Sequence, residues 1–195
     1  MSMESSFDKH FFRTACWFEV ALTPLAWGLG WLCNIEVFDD LHYSESAMAN
    51  GFLATLPLVM LFFAMQQATY RPLIKIRELL LETLGARLQD RQWSDLLILA
   101  AIAGFSEEVL FRGFIQPWAE QLTDITTGLI ISNLVFALLH AVTPLYAVLA
   151  FLMGIYLGLS LDYGEERNLM TPIIIHGVYD FVAFLAIVRS YRLQI

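Results

Sequence analysis

Five side chains able to move protons lie inside otherwise apolar stretches of this sequence. Glu107 and Glu108 fall in GFSEEVLFRGFIQ (104–116), His140 ends VFALLH, and His176 and Asp180 share HGVYD. Arg112 is the cation among them. A charge drawn into hydrocarbon costs about 3 kcal/mol or more, so each such group faces a protein interior or a water-filled cavity. On a helix, Glu108 and Arg112 are four apart and close enough to pair. Glu107 then points about 100° away and cannot share that geometry. One carboxylate is tied down and its neighbour is left free for chemistry. The same four-residue step puts His176 with Asp180, and Phe136 with His140, on common faces.

A carboxylate with two imidazoles is a kit for hydrolysis. A carboxylate withdrawn from water becomes a better proton acceptor and can take a proton from a nucleophilic water. A histidine can hold that water or protonate a leaving amine, and a second one can stabilise an oxyanion. The same groups could instead bind a divalent metal such as zinc, through Glu107, His140, His176 and Asp180. The H-E-x-x-H spacing of zinc proteases is absent. No G-x-S-x-G occurs, so a serine nucleophile is not expected. Ser106 is expected to return a hydrogen bond to a backbone carbonyl. Asn133 is expected to hydrogen-bond between helices. Cys16 and Cys33 end one apolar stretch; a helix between them holds them about 25 Å apart, far beyond disulfide reach.

The chain that positions these groups has 195 residues, 58% hydrophobic and 15% charged, with mean hydropathy +0.62. Soluble domains run about 45–50% apolar and about 25% charged, so an integral membrane protein of one domain, 1–195, is expected. A net charge of −8 argues against nucleic acid as a partner. The fold class expected is all-α: a polytopic transmembrane bundle of about six spans plus one amphipathic interfacial helix. The spans are placed at 14–33, 48–66, 94–117, 125–141, 145–161 and 171–188, each near the length a bilayer needs. Residues 1–13 are read as polar and frayed, and the first apolar run as a retained span rather than a signal peptide. Glu19 in that span is read as snorkelling to the interface. Gly154 and Gly158 have the small-xxx-small spacing of close helix contacts.

Residues 70–92 differ. Leu73, Ile76, Leu80, Leu84 and Leu88 form one helical stripe interleaved with Arg and Lys. The stripe fits a helix on the membrane surface, or one packed on the bundle. Nine of the eleven Lys and Arg residues, Lys9 among them, fall on the side of the termini. The positive-inside rule therefore puts both termini in the cytoplasm.

Three motifs carry a family resemblance. SEEVLFRG resembles an E-E-x-x-x-R motif, FALLH an F-x-x-x-H motif, and HGVYD an H-x-x-x-N/D motif. All three occur, in this order, in the CPBP intramembrane proteases. That family includes the CAAX prenyl endopeptidase and many bacterial proteins, some called abortive-infection or bacteriocin-immunity proteins. The resemblance covers the core at about 93–188. It implies an endopeptidase in which Glu107 is the general base for water and His140 assists it. His176 and Asp180 would orient water or the oxyanion. Glu108 and Arg112 would be a structural pair, with Phe136 packed beside His140. Family members are described both as metalloproteases and as metal-independent glutamate proteases; the glutamate type, without a cofactor, is favoured here. An ionised Asp180 cannot donate a hydrogen bond as Asn can, so it must be protonated, orient His176 or bind a metal.

The expected function is hydrolysis of a peptide bond in a membrane-associated protein or peptide, within the lipid bilayer of a bacterial cell membrane. A proton-coupled transporter also uses intramembrane acids and histidines, but no repeated halves occur here. A non-catalytic scaffold of the same fold is the other alternative. Straight helices put Glu107, His140 and His176 at roughly 15, 21 and 8 Å from the outer face, depths that do not coincide.

Overall fold

The computed structural model describes residues 3–194, and the side chains of 10–194; Lys9 of the charge asymmetry lies outside the described side chains. The chain is 81% helical without strands among the described residues, which establishes the all-α class. The helices are α1 (Met3–Cys33), α2 (Glu45–Gln66), α3 (Arg71–Leu80), α4 (Ala86–Leu88), α5 (Trp93–Leu110), α6 (Gln116–Leu122), α7 (Ile125–Leu139), α8 (Pro144–Ser160) and α9 (Met170–Arg192). Two π-helical turns, Leu81–Gly85 and Phe111–Ile115, join α3 to α4 and α5 to α6 into continuous rods.

By length and composition, α2 and α9 are long and apolar enough to cross a membrane, while α7 and α8 are shorter apolar helices. This is a smaller set than the six expected. The other rods depart from the expected spans for identifiable reasons. Helix α1 begins at Met3 rather than Thr14, so residues 3–13 are helical and not frayed. Phe11 and Phe12 pack against Leu88, Leu96 and Leu99, which anchors that extra length. Helix α7 ends at Leu139 because the chain turns there into Thr143, whose hydroxyl accepts from Tyr146 N–H and caps α8 ahead of Pro144. The stripe of α3–α4 faces inward: Leu81 packs on Ala183 and Ile187, and Leu88 on Val188. This helix is therefore packed on the bundle, with Arg87 and Arg91 stacked on Phe11 and Phe12 at 4.8 and 4.7 Å.

Outside the bundle, Asp124 caps α7 by accepting from Thr126 and Thr127 N–H. The hydrogen bonds from Thr127, its hydroxyl first, hold the Asp124 carboxyl below the usual carboxylate range. Arg167, in the α8–α9 loop, reaches Glu120 at 2.8 Å and Asp162 at 3.2 Å, clasping that loop to α6.

Two registers set the site. The stretch 11–16 packs beside Leu96 and Leu99, and Leu22 and Leu29 beside Val109 and Leu110, so α1 runs parallel to α5. Thr23 Oγ1 donates to Ser106 Oγ at 3.1 Å and pins that register. Ser106 thus accepts from a neighbouring helix, a partner its type did not predict. Across the bundle, α9 crosses α5 where Gly104 meets Gly177. A Cβ on Gly104 would lie 2.6 Å from the Gly177 nitrogen, a backbone atom that cannot move aside. Gly104→Val is expected to force α5 and α9 apart and to cost about 1–3 kcal/mol. Thermal unfolding of the purified protein measures this; an unchanged midpoint would mean the crossing is looser than described.

Candidate active site

Three helices deliver the polar groups. Helix α5 carries Glu107 and Glu108 in its last turn, with Arg112 one turn on in the π-helical turn. Such turns are frequent at functional sites because they re-aim side chains. His140 is the first residue beyond α7, and His176 and Asp180 lie on α9. The close Gly104–Gly177 approach brings α9 to the level of Glu107 and removes the mismatch of depths that straight spans gave.

Glu108 and Arg112 form a fully buried pair at 3.0 Å. Arg112 Nη2 also donates to Asn133 Oδ1 at 2.9 Å and to the Gly154 carbonyl at 2.8 Å. Asn133 thus joins helices, as its type implied, with Arg112 as its partner. The Asn133 amide returns a bond to Leu129 O. Gly154 has no room for a Cβ beside Asn133, which is what its small-xxx-small spacing provides for. The guanidinium also lies 5.0 Å from the Phe136 ring centroid. A buried charge costs several kcal/mol unless its donors are met; Arg112 Nη1 and Nη2 draw acceptors from α5, α7 and α8, while Nε has none among the described residues.

Glu107 points the other way. Its Oε2 lies 3.8 Å from His140 Nε2, is buried, and has no hydrogen-bond partner among the described residues. His140 Nδ1 lies 2.8 Å from the Phe136 carbonyl at the α7 end, which also accepts the His140 backbone N–H. A carbonyl only accepts, so Nδ1 carries the proton. Nε2 is the ring nitrogen that faces Glu107. Phe136 stacks on His140 with centroids 4.3 Å apart and meets His176 edge-on at 6.3 Å.

His176 is engaged by the other carboxylate, Glu108. Its Nδ1 lies 2.7 Å from Glu108 Oε1, the oxygen that also accepts from Arg112. Its Nε2 lies 3.6 Å from Asp180 Oδ2. The structural carboxylate therefore also orients the second histidine. No three His, Cys, Asp or Glu side chains among the described residues converge as metal ligands. Both Nδ1 atoms are already engaged within the protein.

These groups line a cavity of about 560 Å³, within the usual size of ligand sites. Along α1 the lining residues are Phe11, Ala15 and Glu19; along α5 they are Leu99, Ala103 and Glu107. Each set is a four-residue step repeated twice, so the cavity runs about 12 Å down both helices. Its far end is marked by Gln66, Arg77 and Leu84. Glu19 therefore does not snorkel to the interface. With α1 extended to Met3 it sits mid-helix, on the cavity wall. An acid within an apolar run was the sequence signal for it, and span boundaries drawn too short obscured that signal. Cys16 and Cys33 are free thiols.

Residues 89–182 match the family described as Type II CAAX prenyl endopeptidase Rce1-like. No curated protein and no solved structure matches the chain. The matched segment contains all three motifs, and with them Glu107, Glu108, Arg112, Phe136, His140, His176 and Asp180. Glu19 and helices α1 to α3 lie outside it. A protease family, a helical fold and apolar helices of membrane length agree with one another. Residues 89–182 are thus similar to the Rce1-like family, and this match together with the apolar helices points to an integral membrane protein.

Proposed function

We propose that this protein is an intramembrane endopeptidase in which Glu107 and His140 together hold and activate a water that attacks a peptide carbonyl. The observation that carries this reading is the placement of Glu107 Oε2, which has no hydrogen-bond partner among the described residues, 3.8 Å from His140 Nε2. With the His140 proton on Nδ1, both atoms accept, and together they take a molecule with two donors. A water donating one hydrogen to each fills that role and leaves its lone pairs for the carbonyl carbon. As the C–O bond forms, Glu107 takes the proton of the water. The carbonyl oxygen becomes an oxyanion on the side of His176 and Asp180. Because His176 Nδ1 is engaged with Glu108, Nε2 is the nitrogen left to face the oxyanion as donor. Collapse breaks the C–N bond, and the proton held by Glu107 passes to the departing nitrogen.

The substrate is a membrane-associated protein or peptide. The cavity walls are mostly apolar, with Leu58, Leu61, Phe62 and Leu149 among them, which suits a hydrophobic segment. The six apolar rods, α1, α2, α5–α6, α7, α8 and α9, are proposed as the bilayer-embedded set. The cytoplasmic side is taken as that of Arg71, Arg77, Arg87 and Arg91. The hydrolytic step is proposed to run on protein groups alone. Peptide cleavage by the purified protein, before and after exhaustive chelation and with metal content measured in parallel, tests this. Cleavage is expected to persist in metal-free protein. Loss on chelation with recovery on adding zinc would assign the water activation to a metal instead.

A further inference from the structure

Glu19 is a charged group in the cavity for which the proposed reaction has no task. It faces inward, because Phe11 and Ala15, two turns and one turn before it on α1, line the same cavity. Its height is fixed by Thr23, the next residue on that face, which bonds Ser106 beside Glu107. The α1–α5 register puts Glu19 level with Ile102, about 7.5 Å below Glu107 along the helix axis. Its Oε2 is buried and has no donor among the described residues. Asp180 lies on the facing wall, on α9. The guanidinium lining this cavity, Arg77, sits at the far end, where it donates to the Gln66 carbonyl. Arg112 is turned away to Glu108, Asn133 and Gly154.

The inner half of the cavity therefore presents the carboxylates of Glu107, Glu19 and Asp180; His140 lies against Glu107 and His176 against Asp180, and among the described residues no Lys or Arg side chain lines the cavity beside Glu19. Apolar walls concentrate the field of such a group and favour a positive guest. We infer that Glu19 is a specificity-determining residue, which receives a basic side chain of the substrate close to the scissile peptide bond, on the Arg77 side of Glu107. Glu19 comes from α1, outside the family-matched segment, so this preference belongs to the chain's own N-terminal part. The role given to Glu19 rests on the proteolytic reading above.

The experiment uses the full chain and a peptide series that carries lysine or norleucine in turn at each position flanking the cleaved bond. The readout is the ratio of kcat/KM for the lysine peptide to that for its norleucine twin. A purely structural role for Glu19 would change both rates together and leave the ratio fixed. A charge-assisted contact in a partly desolvated cavity predicts a lysine preference of about tenfold or more at one position in the wild type. Glu19→Gln is expected to bring the ratio to near unity, and Glu19→Asp to keep the preference for lysine. Glu19→Lys is expected to turn the preference toward a glutamate peptide. A wild type indifferent to lysine, or a Glu19→Gln protein with an undiminished preference, would overturn the assignment. Cleavage of both twins by Glu107→Gln at the wild-type rate would instead remove the water-activation reading on which it depends.

Discussion

Glu107→Gln is expected to lower peptide cleavage by about 10²–10⁴-fold, the usual loss when a positioned proton acceptor is removed. The substitution changes charge and basicity while preserving shape. Glutamine can still accept one hydrogen bond from water, but it cannot take the proton. Because Glu107 Oε2 has no partner among the described residues, the change breaks no structural hydrogen bond there. The folded state is expected to survive, with a thermal midpoint near that of the wild type. The loss should therefore fall on kcat rather than on KM. His140→Ala is a companion measurement: if His140 and Glu107 hold one water together, the double variant should lose little more than Glu107→Gln alone. Full cleavage by Glu107→Gln would sink the proteolytic role given to this residue and favour a scaffold or transport function.

Arg112→Met is expected to destabilise the protein by about 3–5 kcal/mol, because it leaves a buried carboxylate without its cation. The pair is fully buried, so water cannot replace the missing guanidinium. Asn133 Oδ1 and the Gly154 carbonyl lose their donor in the same step. His176 would then be the remaining partner of Glu108 Oε1. Activity should fall with stability, since Glu108 also orients His176. Glu108→Gln combined with Arg112→Met removes both charges and should recover part of the loss. Unfolding of the purified protein in micelles measures the series. A loss for Arg112→Met no larger than that of an exposed ion pair, below about 1 kcal/mol, would show that the pair does not hold the bundle together.

The sequence was most informative where contacts lie within one helix. Glu108 with Arg112, Phe136 with His140 and His176 with Asp180 are all four-residue steps, and helical geometry alone puts such side chains on one face. The divergence of Glu107 from Glu108 follows from the same 100° rotation. Composition alone identified the membrane class, because an apolar excess of this size has no place in a soluble core. Helix ends were less legible. They depend on partners distant in sequence, such as Leu88 and Leu99 under Phe11 and Phe12, and on caps such as Thr143. The inward face of α3–α4 was open for the same reason: an amphipathic stripe does not state whether lipid or protein covers it.

By itself, then, the amino-acid sequence determined the helical class, the three motifs and the division between a paired and a free carboxylate. Only the tertiary structure decided which partners those groups take across helices. Gly104 against Gly177 sets the height of α9 and hands His176 to Glu108 rather than to Glu107. The α1–α5 register, pinned by Thr23 on Ser106, brings Glu19 into the cavity. Asn133 and Gly154 become acceptors for Arg112 through the close packing of α7 on α8. The physical reason is that an intrahelical neighbour is fixed by a constant rise and rotation per residue. A neighbour across helices is fixed instead by how two surfaces interlock, and that depends on every small and large side chain between them.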